Sequence, residues 1–430
     1  MRSTNVFSIS NNQTELVSKL LNWSKKFSHF ALYPGNDYPD PYHQVDLIFA
    51  AGAKRIVVPE KDALDNLYET WKENPDWLFG YIGYDVKNEL ENVFSNNEDH
   101  VRAPQLYFFV PEIVGVLRGT DLEIQSLTNN PEEIFAELEA TSAQAAQTLP
   151  ELSFNARLSQ ETYLEKVRGL QKHIQFGDIY EVNFCQEFYA DDVSLAPAQV
   201  FEKLNKKVHP PFAAFLNLPE HAVMCASPER YMQKSGNKLI SQPIKGTARR
   251  SADPAEEARI KTALHSSVKE RAENVMIVDL VRNDLSRVAA DGSVYVPELF
   301  GVHTFPTVHQ LISTVKARLA PDKTWLDVLK TSFPMGSMTG APKVSAMHLI
   351  EEFEVHKRGI YSGALGYITP EGDFDFNVVI RSLLYNKSSQ YLSLSVGGAI
   401  TILADAEEEY DECLLKAEAI LGLFSPPASA

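Results

Sequence analysis

The chain has 430 residues, of which 44% are hydrophobic and 23% charged, and its formal net charge at pH 7 is −17. This composition is typical of a soluble globular protein, and the length suits two or three ordinary domains or one large composite domain. A negative charge of this size disfavours nucleic acid or an anionic membrane surface as a partner, and an anionic substrate would need local cations or a metal to offset it.

The sequence carries no sign of membrane insertion or secretion. No segment approaches the ~18 uninterrupted apolar residues that a membrane span needs. The first ten residues lack the apolar core of a secretory signal. Three cysteines, Cys185, Cys225 and Cys413, are too few and too scattered for a disulfide framework or a zinc site. We therefore expect a cytoplasmic protein that does not associate with membranes.

The first 150 residues alternate short strand-like runs with turns. Residues 55–58 and the aromatic, glycine-containing run 77–84 predict strands, and residues 33–42 are rich in turn-forming residues. An alanine-rich helical stretch over residues 132–147 leads to a Leu-Pro pair, which we interpret as a connector. We therefore predict an N-terminal region, residues 1–150, with a structural role; these patterns leave open whether it holds a pocket for a regulatory amino acid.

Longer elements begin after residue 159. Residues 160–176 have helical spacing, and residues 254–289 predict two helices that are broken near residues 265–267. We interpret residues 151–424 as a catalytic region, because the candidate site residues described next all lie within it, and residues 425–430 as a flexible tail.

The end of the chain contains the clearest strand signals. Residues 361–368, 377–385 and 391–402 predict three strands that are joined by short turns, so we expect antiparallel neighbours in one meander. A helix over residues 406–423 follows, with Asp405 as its N-cap. Meanders followed by helices, without alternating strand–helix–strand units, predict the α+β class.

The segment 242–247, Gln-Pro-Ile-Lys-Gly-Thr, places a lone lysine between an aliphatic run and a Gly-Thr turn. Pro243 restricts its own backbone and Gly246 allows the chain to turn, so Lys245 should project from a stiff bend. A lysine that is desolvated in such a place can lose its proton and act as a nucleophile. The alternative is an exposed loop lysine without a catalytic role.

Two pairs of glutamates recur at a spacing of three residues on predicted helices. Glu270 and Glu273 begin a helix that is apolar on nearly all sides and should be buried, where carboxylates need a cation or hydrogen bonds. Glu409 and Glu412, with Lys416 one turn beyond, lie opposite an apolar stripe, and alone they favour a solvated helix face. The stripe comprises Tyr410, Leu414, Ala417 and Leu421. Together, the two pairs could hold one Mg²⁺, which prefers oxygen ligands.

Arg381 lies in a strand-like run, where a guanidinium needs an anionic partner and a carboxylate suits its fork. That partner is either a substrate carboxylate or an internal Asp or Glu in a structural ion pair. Tyr361 and the predicted Val-Gly-Gly-Ala turn at 396–399 are candidate neighbours, because backbone amides beside glycines could take a second carboxylate. Residues 333–343 form a similar glycine-punctuated loop that lacks the spacing of a nucleotide-binding loop.

Taken together, these segments resemble the chorismate-utilising enzyme family, which includes anthranilate, aminodeoxychorismate, isochorismate and salicylate synthases. The matching segments occur in the family's order at residues 227–230, 243–247, 270–285, 333–343, 358–367, 380–382 and 410–412. The resemblance is specific from about residue 155 to residue 422, and residues 38–46 and 80–84 also resemble the amidotransfer-type members. It implies the composite α+β fold of that family, with antiparallel sheets packed together and flanked by helices, and chorismate as the substrate.

The resemblance implies that four carboxylates form a magnesium site. Glu273 and Glu412 would hold Mg²⁺, and Glu270 and Glu409 would support it, through water. The metal would anchor the ring carboxylate of chorismate.

The resemblance assigns the remaining chemistry to a second set of residues. Arg381 and Tyr361 would take the enolpyruvyl carboxylate of chorismate. The other residues implied in substrate binding are Gly246, Thr247, Gly397, Gly398 and Lys416. Glu229 would be the general acid that protonates the departing C4 hydroxyl. Lys245 would attack C2 to give a covalent intermediate, from which ammonia, adding at C4, expels the lysine.

Within the family, Lys245 resembles the aminodeoxychorismate synthases, because anthranilate synthases usually carry alanine there. Glu181 corresponds to the water-activating lysine of isochorismate and salicylate synthases, which argues against hydroxylation. Gln310 occupies the place of a histidine found in many members, so the adjacent His309 has either a site role or a packing role. The resemblance favours amination of chorismate to 4-amino-4-deoxychorismate for p-aminobenzoate and folate synthesis. The alternatives are anthranilate synthase component I and a non-catalytic protein with the same fold.

The ammonia for such a reaction needs a source. A glutaminase uses a nucleophilic cysteine on a sharp, glycine-flanked turn together with a histidine. None of the three cysteines has that setting. We therefore expect a separate glutaminase subunit as partner.

Overall fold

The computed structural model describes residues 2–10, 12–145, 147–306 and 308–425. Helices and antiparallel sheets both contribute to these residues, which confirms the α+β class. Within the same ranges, no helix is both long and apolar enough to cross a membrane. Residues 426–430 of the predicted tail lie outside the described residues.

The strands are numbered in chain order. They are β1 (Ser3–Ser8), β2 (Phe30–Pro34), β3 (Leu47–Ala51), β4 (Arg55–Val57), β5 (Leu78–Ile82), β6 (Leu106–Val110), β7 (Ile113–Arg118), β8 (Asp121–Ser126), β9 (Asn155–Ala156), β10 (Glu181–Ala190), β11 (Phe212–Asn217), β12 (His221–Ser227), β13 (Arg230–Ser235), β14 (Lys238–Gln242), β15 (Ile244–Arg249), β16 (Tyr295–Thr304), β17 (Val308–Arg318), β18 (Gly340–Ala341), β19 (Ala364–Ile368), β20 (Phe374–Val378), β21 (Ser382–Asn386) and β22 (Tyr391–Ile400).

The α-helices are numbered in the same way. They are α1 (Gln13–Trp23), α2 (Ala63–Glu73), α3 (Lys87–Leu90), α4 (Pro131–Ala140), α5 (Gln160–Phe176), α6 (Pro197–Val208), α7 (Pro254–Ser266), α8 (Val268–Ser286), α9 (Trp325–Ser332), α10 (Lys343–Phe353) and α11 (Ala406–Leu421).

The strands of the described residues form two antiparallel sheets. The first has the order β1-β8-β7-β3-β2-β11-β12-β21-β22-β10-β18, with β9 paired to β10. The second has the order β15-β17-β14-β13-β20-β19-β5-β6-β4, with β16 paired to β17. Both sheets mix strands from the first 150 residues with later ones, since β2 pairs with β11 and β5 pairs with β19. The division at residue 150 is therefore not a boundary between sheets, and it stays a prediction about function.

The two sheets pack against each other through aromatic side chains. The ring of Tyr33 on β2 lies 6.1 Å from that of Phe79 on β5 and 5.9 Å from that of Tyr367 on β19. The same hydrophobic core continues to helices α2, α8 and α9. A second core covers the other face of the first sheet, beneath α1, α4, α5, α6, α10 and α11. Burial of apolar surface in these two cores holds both sheets in place.

The predicted three-stranded meander is wrong. Residues 377–385 are not one strand, because β20 ends at Val378 in the second sheet and β21 begins at Ser382 in the first. The chain thus makes one hairpin in each sheet, β19–β20 and β21–β22. A continuous apolar run does not reveal this crossing, because both strands are buried on both faces.

Most predicted helices are present, with differences at their ends. Helix α5 matches its prediction, and α7 and α8 are separated at Ser267 as expected. Helix α4 ends at Ala140 instead of residue 147, and α11 ends at Leu421 instead of residue 423. The predicted burial of α8 on nearly all sides is wrong, because Val275 is 42% exposed while Ile277 on the opposite side is buried.

The predicted apolar stripe of α11 is also displaced around the helix. Leu414 is 39% exposed, whereas Cys413 and Ala417 face the core. The buried face of α11 also includes Glu409. The side of this helix that packs therefore carries the small residues Cys413 and Ala417 together with Glu409.

Candidate active site

A polar cleft of about 160 Å³ lies where β15, β17 and β22 meet the helices α8 and α11. Every residue predicted to act in catalysis, substrate binding or metal binding lines this cleft. These residues are Lys245, Glu229, Tyr361, Arg381, Gly246, Thr247, Gly397, Gly398, Lys416, Glu270, Glu273, Glu409 and Glu412. The fold thus gathers residues from widely separated segments, and the role of each stays a prediction.

Lys245 lies on a β-bulge and not on a turn between strands. The register of β15 against β17 shifts by one residue between Ile244 and Thr247. Gly246 takes the extra position with a φ of 91°, which an L-residue with a side chain rarely adopts. The predicted bend is therefore present, but it is a bulge inside β15 that directs Lys245 into the cleft.

The amine of Lys245 is enclosed, with a side chain that is 10% exposed, so the exposed-loop alternative is wrong. Its Nζ donates a hydrogen bond of 2.6 Å to Oε1 of Glu181 on β10. Burial by itself lowers the pKa of Lys245, but Glu181, Glu273 and Glu229 outweigh burial, and the pKa is raised. The surrounding carboxylates therefore oppose the loss of the proton that desolvation by itself favours, and the role of Lys245 as nucleophile stays a prediction.

Glu229 lies between β12 and β13 and is 5% exposed. Its Oε1 accepts a hydrogen bond of 2.7 Å from the hydroxyl of Ser337. Burial raises the pKa of Glu229 to about 7, although Ser337 and Lys245 act in the opposite direction. A substantial fraction of this carboxyl is therefore protonated near neutral pH, as a general acid requires.

Helix α8 contributes two carboxylates at its N-terminal end. Glu273 is 7% exposed, and burial raises its pKa to about 7. Glu270 is half-buried, and burial raises its pKa as well. Both are therefore destabilised as free anions and would gain from a cation.

Helix α11 contributes the other two carboxylates, each next to a lysine. Glu409 is 2% exposed, so the solvated-face interpretation is wrong for this residue, and its Oε1 lies 3.1 Å from Nζ of Lys269. Glu412 has a side chain that is 47% exposed and lies 2.6 Å from Nζ of Lys416. Burial, followed by Glu412, raises the pKa of Glu409, whereas for Glu412 the lysines outweigh burial and its pKa is lowered.

The donor set of these four carboxylates fits an oxygen-preferring cation such as Mg²⁺. Oε1 of Glu273 is buried and has no hydrogen-bond partner among the described residues. In the same part of the chain, no three acidic, histidine or cysteine side chains converge on a ready-made metal centre. The unpartnered oxygen of Glu273 is therefore the observation in favour of a cation at this place, and the magnesium site stays a prediction.

Arg381 lies at the crossing between the two sheets, with a φ of 53°, and not inside a strand as predicted. Within the described ranges, no carboxylate lies in ion-pair distance of its guanidinium, so the structural ion pair is not formed. Burial lowers the pKa of Arg381, against the influence of Tyr361 and Glu412. A buried guanidinium without a protein counter-ion is suited to an anionic ligand.

Tyr361 precedes β19, which begins at Ala364 and not at residue 361 as predicted. The side chain is 2% exposed, and its hydroxyl accepts a contact of 3.8 Å from Sγ of Cys185. Burial raises the pKa of Tyr361 well above its usual value. The phenol is therefore neutral and can donate its proton to a carboxylate.

The Gly397–Gly398 pair lies inside β22, so the predicted turn at 396–399 is wrong. A Cβ on Gly398 would lie 2.8 Å from Oε2 of Glu409, and one on Gly397 would lie 2.6 Å from Oδ1 of Asn183. Nζ of Lys416 donates to the carbonyl of Gly397 at 2.8 Å. The glycines therefore allow side chains of β10 and α11 to approach the strand closely.

His309 and Gln310 take different positions. His309 is fully buried, with Nδ1 at 3.0 Å from Oγ1 of Thr304 and Nε2 at 3.0 Å from Glu257, and it is not among the residues that line the cleft. Gln310 lines the cleft and donates to Thr247 at 3.4 Å. Its Oε1 is buried without a partner in the described part of the chain and is available to a ligand.

Several cleft residues were not singled out from the sequence. Asn183, Lys269, Ser337 and Ser395 also line the cleft. Strand alternation from Glu181 indicates Asn183, since residues two apart share a face of a strand. Lys269 directly precedes Glu270, and Ser337 lies in the glycine-punctuated loop. Each of these three residues could therefore have been identified from its position next to a residue or loop already singled out in the sequence.

Comparisons with known proteins place the chain among similar sequences. A family model described as chorismate binding enzyme matches residues 26–422. Aminodeoxychorismate synthase component 1 of Klebsiella aerogenes is 40% identical over 349 residues, which cover 80% of this chain and 76% of that protein. Anthranilate synthase component 1 of Thermus thermophilus is 33% identical over 397 residues, which cover 87% of this chain and 85% of that protein.

A solved structure supports the fold over nearly the whole chain. The crystal structure of anthranilate synthase component I from Streptococcus pneumoniae TIGR4 matches with a TM-score of 0.76 at 25% identity. The match covers 98% of this chain and 92% of that chain. The N-terminal strands are therefore part of the shared architecture and not an addition to it.

Proposed function

The chain belongs to the chorismate-binding enzyme family, and we propose that it is the chorismate-converting component of an aminodeoxychorismate synthase. The reaction would convert chorismate and ammonia to 4-amino-4-deoxychorismate, a precursor of p-aminobenzoate in folate synthesis. The observation that carries this proposal is the placement of Lys245 in the cleft, beside Glu181 and in electrostatic contact with Glu229. The similarity to the Klebsiella protein over most of both chains supports the same activity.

Two parts of the cleft suit the two carboxylates of chorismate. Arg381 and Tyr361 would bind the enolpyruvyl carboxylate, because both present donors and no described carboxylate is paired with the guanidinium. Glu273 and Glu412 would hold Mg²⁺, with Glu270 and Glu409 in support. When bound, the metal would supply the positive charge that offsets the ring carboxylate in a protein of high net negative charge.

The covalent step uses Lys245 as nucleophile. Its Nζ must first lose a proton, and Oε1 of Glu181, 2.6 Å away, is the adjacent acceptor. The amine nitrogen then bonds to C2 of chorismate, the ring double bonds shift, and the C4–O bond breaks. Glu229 gives its proton to the departing oxygen, which leaves as water.

Ammonia completes the reaction by the reverse pattern. Its nitrogen bonds to C4, the double bonds shift back, and the C2–N bond to Lys245 breaks. The lysine is returned as an amine, and the net change is replacement of the C4 hydroxyl by an amino group. Two successive displacements of this kind place the new nitrogen at the carbon that the hydroxyl left.

The ammonia would come from a separate glutaminase subunit. The cysteines Cys185, Cys225 and Cys413 are all buried, and burial raises the pKa of each thiol, so none resembles an activated nucleophile. The name component 1 of the Klebsiella relative also supports a partner component.

Product identity tests the proposal directly. The purified chain, incubated with chorismate, Mg²⁺ and an ammonium salt, is expected to form aminodeoxychorismate without releasing pyruvate. Mass spectrometry identifies the product, and a coupled lactate dehydrogenase assay measures pyruvate. EDTA is expected to stop the reaction, and glutamine is expected to replace the ammonium salt only when a glutaminase partner is present.

One other activity has a specific observation in its favour. The Thermus relative at 33% identity is called anthranilate synthase component 1. Fluorescent anthranilate together with pyruvate would overturn the assignment in favour of that activity. A complete lack of chorismate turnover would favour a non-catalytic protein with this fold.

A further inference from the structure

The glycine-punctuated loop between α9 and α10 brings one hydroxyl to the proposed proton donor. We propose that Ser337 is a positioning residue for Glu229: its hydroxyl occupies one carboxyl oxygen, so that the other oxygen carries the proton to the C4 hydroxyl of chorismate. The inference rests on the proposed function, in which Glu229 is the general acid. The experiment distinguishes failure of this inference from failure of the proposed function, because it also includes a measurement that needs no turnover.

The contact is short and enclosed. Oγ of Ser337 donates to Oε1 of Glu229 at 2.7 Å, and the two residues are 6% and 5% exposed. They are 108 positions apart in the chain, so the contact depends entirely on the fold. No other side chain of the described residues donates a hydrogen bond to this carboxyl. Ser337 is thus the main fixed constraint on the orientation of the carboxyl group.

The backbone on the Glu229 side is held in place. Its carbonyl accepts from the amide of Val378 at 3.0 Å, and its amide donates to Oγ of Ser227 at 3.2 Å. These bonds tie the residue to β20 in the second sheet and to the end of β12 in the first. The carboxyl group can therefore turn only about its own side-chain bonds.

The loop on the Ser337 side is equally constrained. The carbonyl of Ser337 accepts from Nδ2 of Asn183 at 3.2 Å, and the carbonyl of Met338 accepts from Nη1 of Arg358 at 2.6 Å. Arg358 is itself held by two hydrogen bonds to Glu354, of 2.9 and 2.6 Å. The serine hydroxyl is therefore presented by a rigid support and not by a mobile loop.

This geometry sorts the two carboxyl oxygens. A hydroxyl has one proton, and Ser337 gives it to Oε1 of Glu229, which therefore acts as an acceptor. The proton of the neutral carboxyl then belongs on Oε2, to which no side chain of the described residues donates a hydrogen bond; the backbone amide of Ile244 is the other donor to this carboxyl. In the opposite arrangement, Oε1–H would donate to the serine and the proton would be withheld from the substrate.

The sign of the effect on acidity follows from the same contact. Burial raises the pKa of Glu229 to about 7, and Ser337 is the strongest influence that lowers it, followed by Lys245 and the amide of Ile244. A donor to a carboxylate stabilises its ionised form. Removing the hydroxyl should therefore raise the pKa of Glu229 further.

Other charged groups surround this pair without contacting the carboxyl. Glu181 and Glu273 act on Lys245 from β10 and α8. On the other side, Asp284 lines a small cavity with Glu229 and Ser337, and it is paired with Lys343 at 2.6 Å. None of these groups is removed by a substitution at Ser337, so the substitution isolates the hydrogen bond.

The experiment compares Ser337→Ala and Ser337→Thr with the natural chain, using chorismate, Mg²⁺ and an ammonium salt. A rate that needs protonated Glu229 falls as pH rises through its pKa. In Ser337→Ala, the pH at which kcat/KM falls on the alkaline side (the alkaline limb) is expected to rise by about one unit. The same variant is expected to lower kcat at least about tenfold, with little change in KM. Ser337→Thr, which keeps the hydroxyl, is expected to restore the limb.

A spectroscopic titration without substrate provides the independent readout. The infrared band of the protonated carboxyl, assigned by its loss in Glu229→Gln, should persist to higher pH in Ser337→Ala. Ser293→Ala serves as the matched control, because Ser293 is 7% exposed, bonds to the backbone of Arg318, and lies outside the cleft. It is expected to leave both readouts unchanged.

Two outcomes would overturn the inference. An unmoved limb and infrared band, with equal damage from Ser337→Ala and Ser337→Thr, would make the serine merely structural. A shift of the band to lower pH would mean that Ser337 accepts the carboxyl proton instead of donating its own. If the natural chain forms no aminodeoxychorismate while the band still moves upward, the proposed function fails and the Ser337–Glu229 contact stands.

Discussion

Lys245 illustrates how a single residue depends on its surroundings. Its neighbours in the sequence predict a lysine on a stiff bend that can lose its proton if it is desolvated, and the structure shows that the side chain is 10% exposed. The carboxylate of Glu181, 64 positions away, reverses the expected effect on the pKa of the amine, which is raised. As the proposed nucleophile, Lys245 would therefore have to pass its proton to Glu181 when substrate enters.

The nucleophile can be tested by Lys245→Ala. We expect loss of the covalent adduct in intact-protein mass spectrometry and a fall in turnover on the order of a thousandfold. The substitution also leaves Glu181, whose side chain is 1% exposed, without its counter-ion, at a cost of about 3 kcal/mol in stability.

The double variant Lys245→Ala/Glu181→Gln controls for that loss of stability. It should regain the melting temperature without regaining the adduct. Turnover that survives Lys245→Ala unchanged would contradict covalent catalysis by this residue.

Among the elements, the irregular positions are the ones that build the cleft. The bulge in β15 directs Lys245 inward, and the crossing between β20 and β21 places Arg381 between the sheets. Neither feature follows from the local sequence, in which Pro243 and Gly246 indicated a turn in the first case and the apolar run indicated a continuous strand in the second. Both depend on where the partner strands lie, because a bulge or a crossing exists only relative to a pairing register.

Gly246→Ala tests the bulge. The φ of 91° strains any residue with a side chain, and the added Cβ would lie 2.8 Å from Oε2 of Glu270. We expect a loss of about 1–3 kcal/mol in stability, together with reduced turnover, because Lys245 and Glu270 are displaced.

Gly236→Ala is the matched control, since Gly236 has a φ of 56° and no atom within 4 Å of the added Cβ. Urea-induced unfolding should show the smaller loss, of about 1 kcal/mol, that backbone strain alone causes. Equal losses in the two variants would mean that the contact with Glu270 has no energetic role.

On the scale of the whole molecule, a buried charge cluster joins the first 150 residues to the rest of the chain. Arg230, directly after Glu229, is fully buried and makes two hydrogen bonds to Asp375, of 2.9 and 3.0 Å. Its Nη1 also donates to Asp40 and to Gln242, each at 2.6 Å. The N-terminal segment is therefore connected to the strands that carry Glu229 and Lys245.

Arg230→Met removes the cation from this cluster and leaves two carboxylates without it. We expect a loss of about 3–5 kcal/mol, measured as a lower urea midpoint by circular dichroism. Arg282→Met, which removes an exposed ion pair with Asp279, should cost at most about 1 kcal/mol. Similar midpoints for the two variants would contradict a structural role for the buried cluster.

Much of the fold and of the candidate site could be read from the sequence. The helices α5, α7 and α8 follow from their spacing, and short turns identify the two hairpins near the end of the chain. All thirteen candidate residues line one cleft. They could be identified in the sequence because each belongs to a short motif with distinctive residue types. The assignment of strands 361–402 to one sheet failed, since local pattern carries no information about which sheet a buried strand joins.

The amino-acid sequence alone therefore determines which chemical groups are present: a lysine, a proton donor, four carboxylates and an arginine. The tertiary structure decides the state of each group. It brings Glu181 to Lys245 and Ser337 to Glu229, it buries Glu409 on a face predicted to be solvated, and it leaves Arg381 unpaired among the described residues. The physical reason is that burial and hydrogen bonding, which set protonation and orientation, arise from contacts between residues that are distant in the chain.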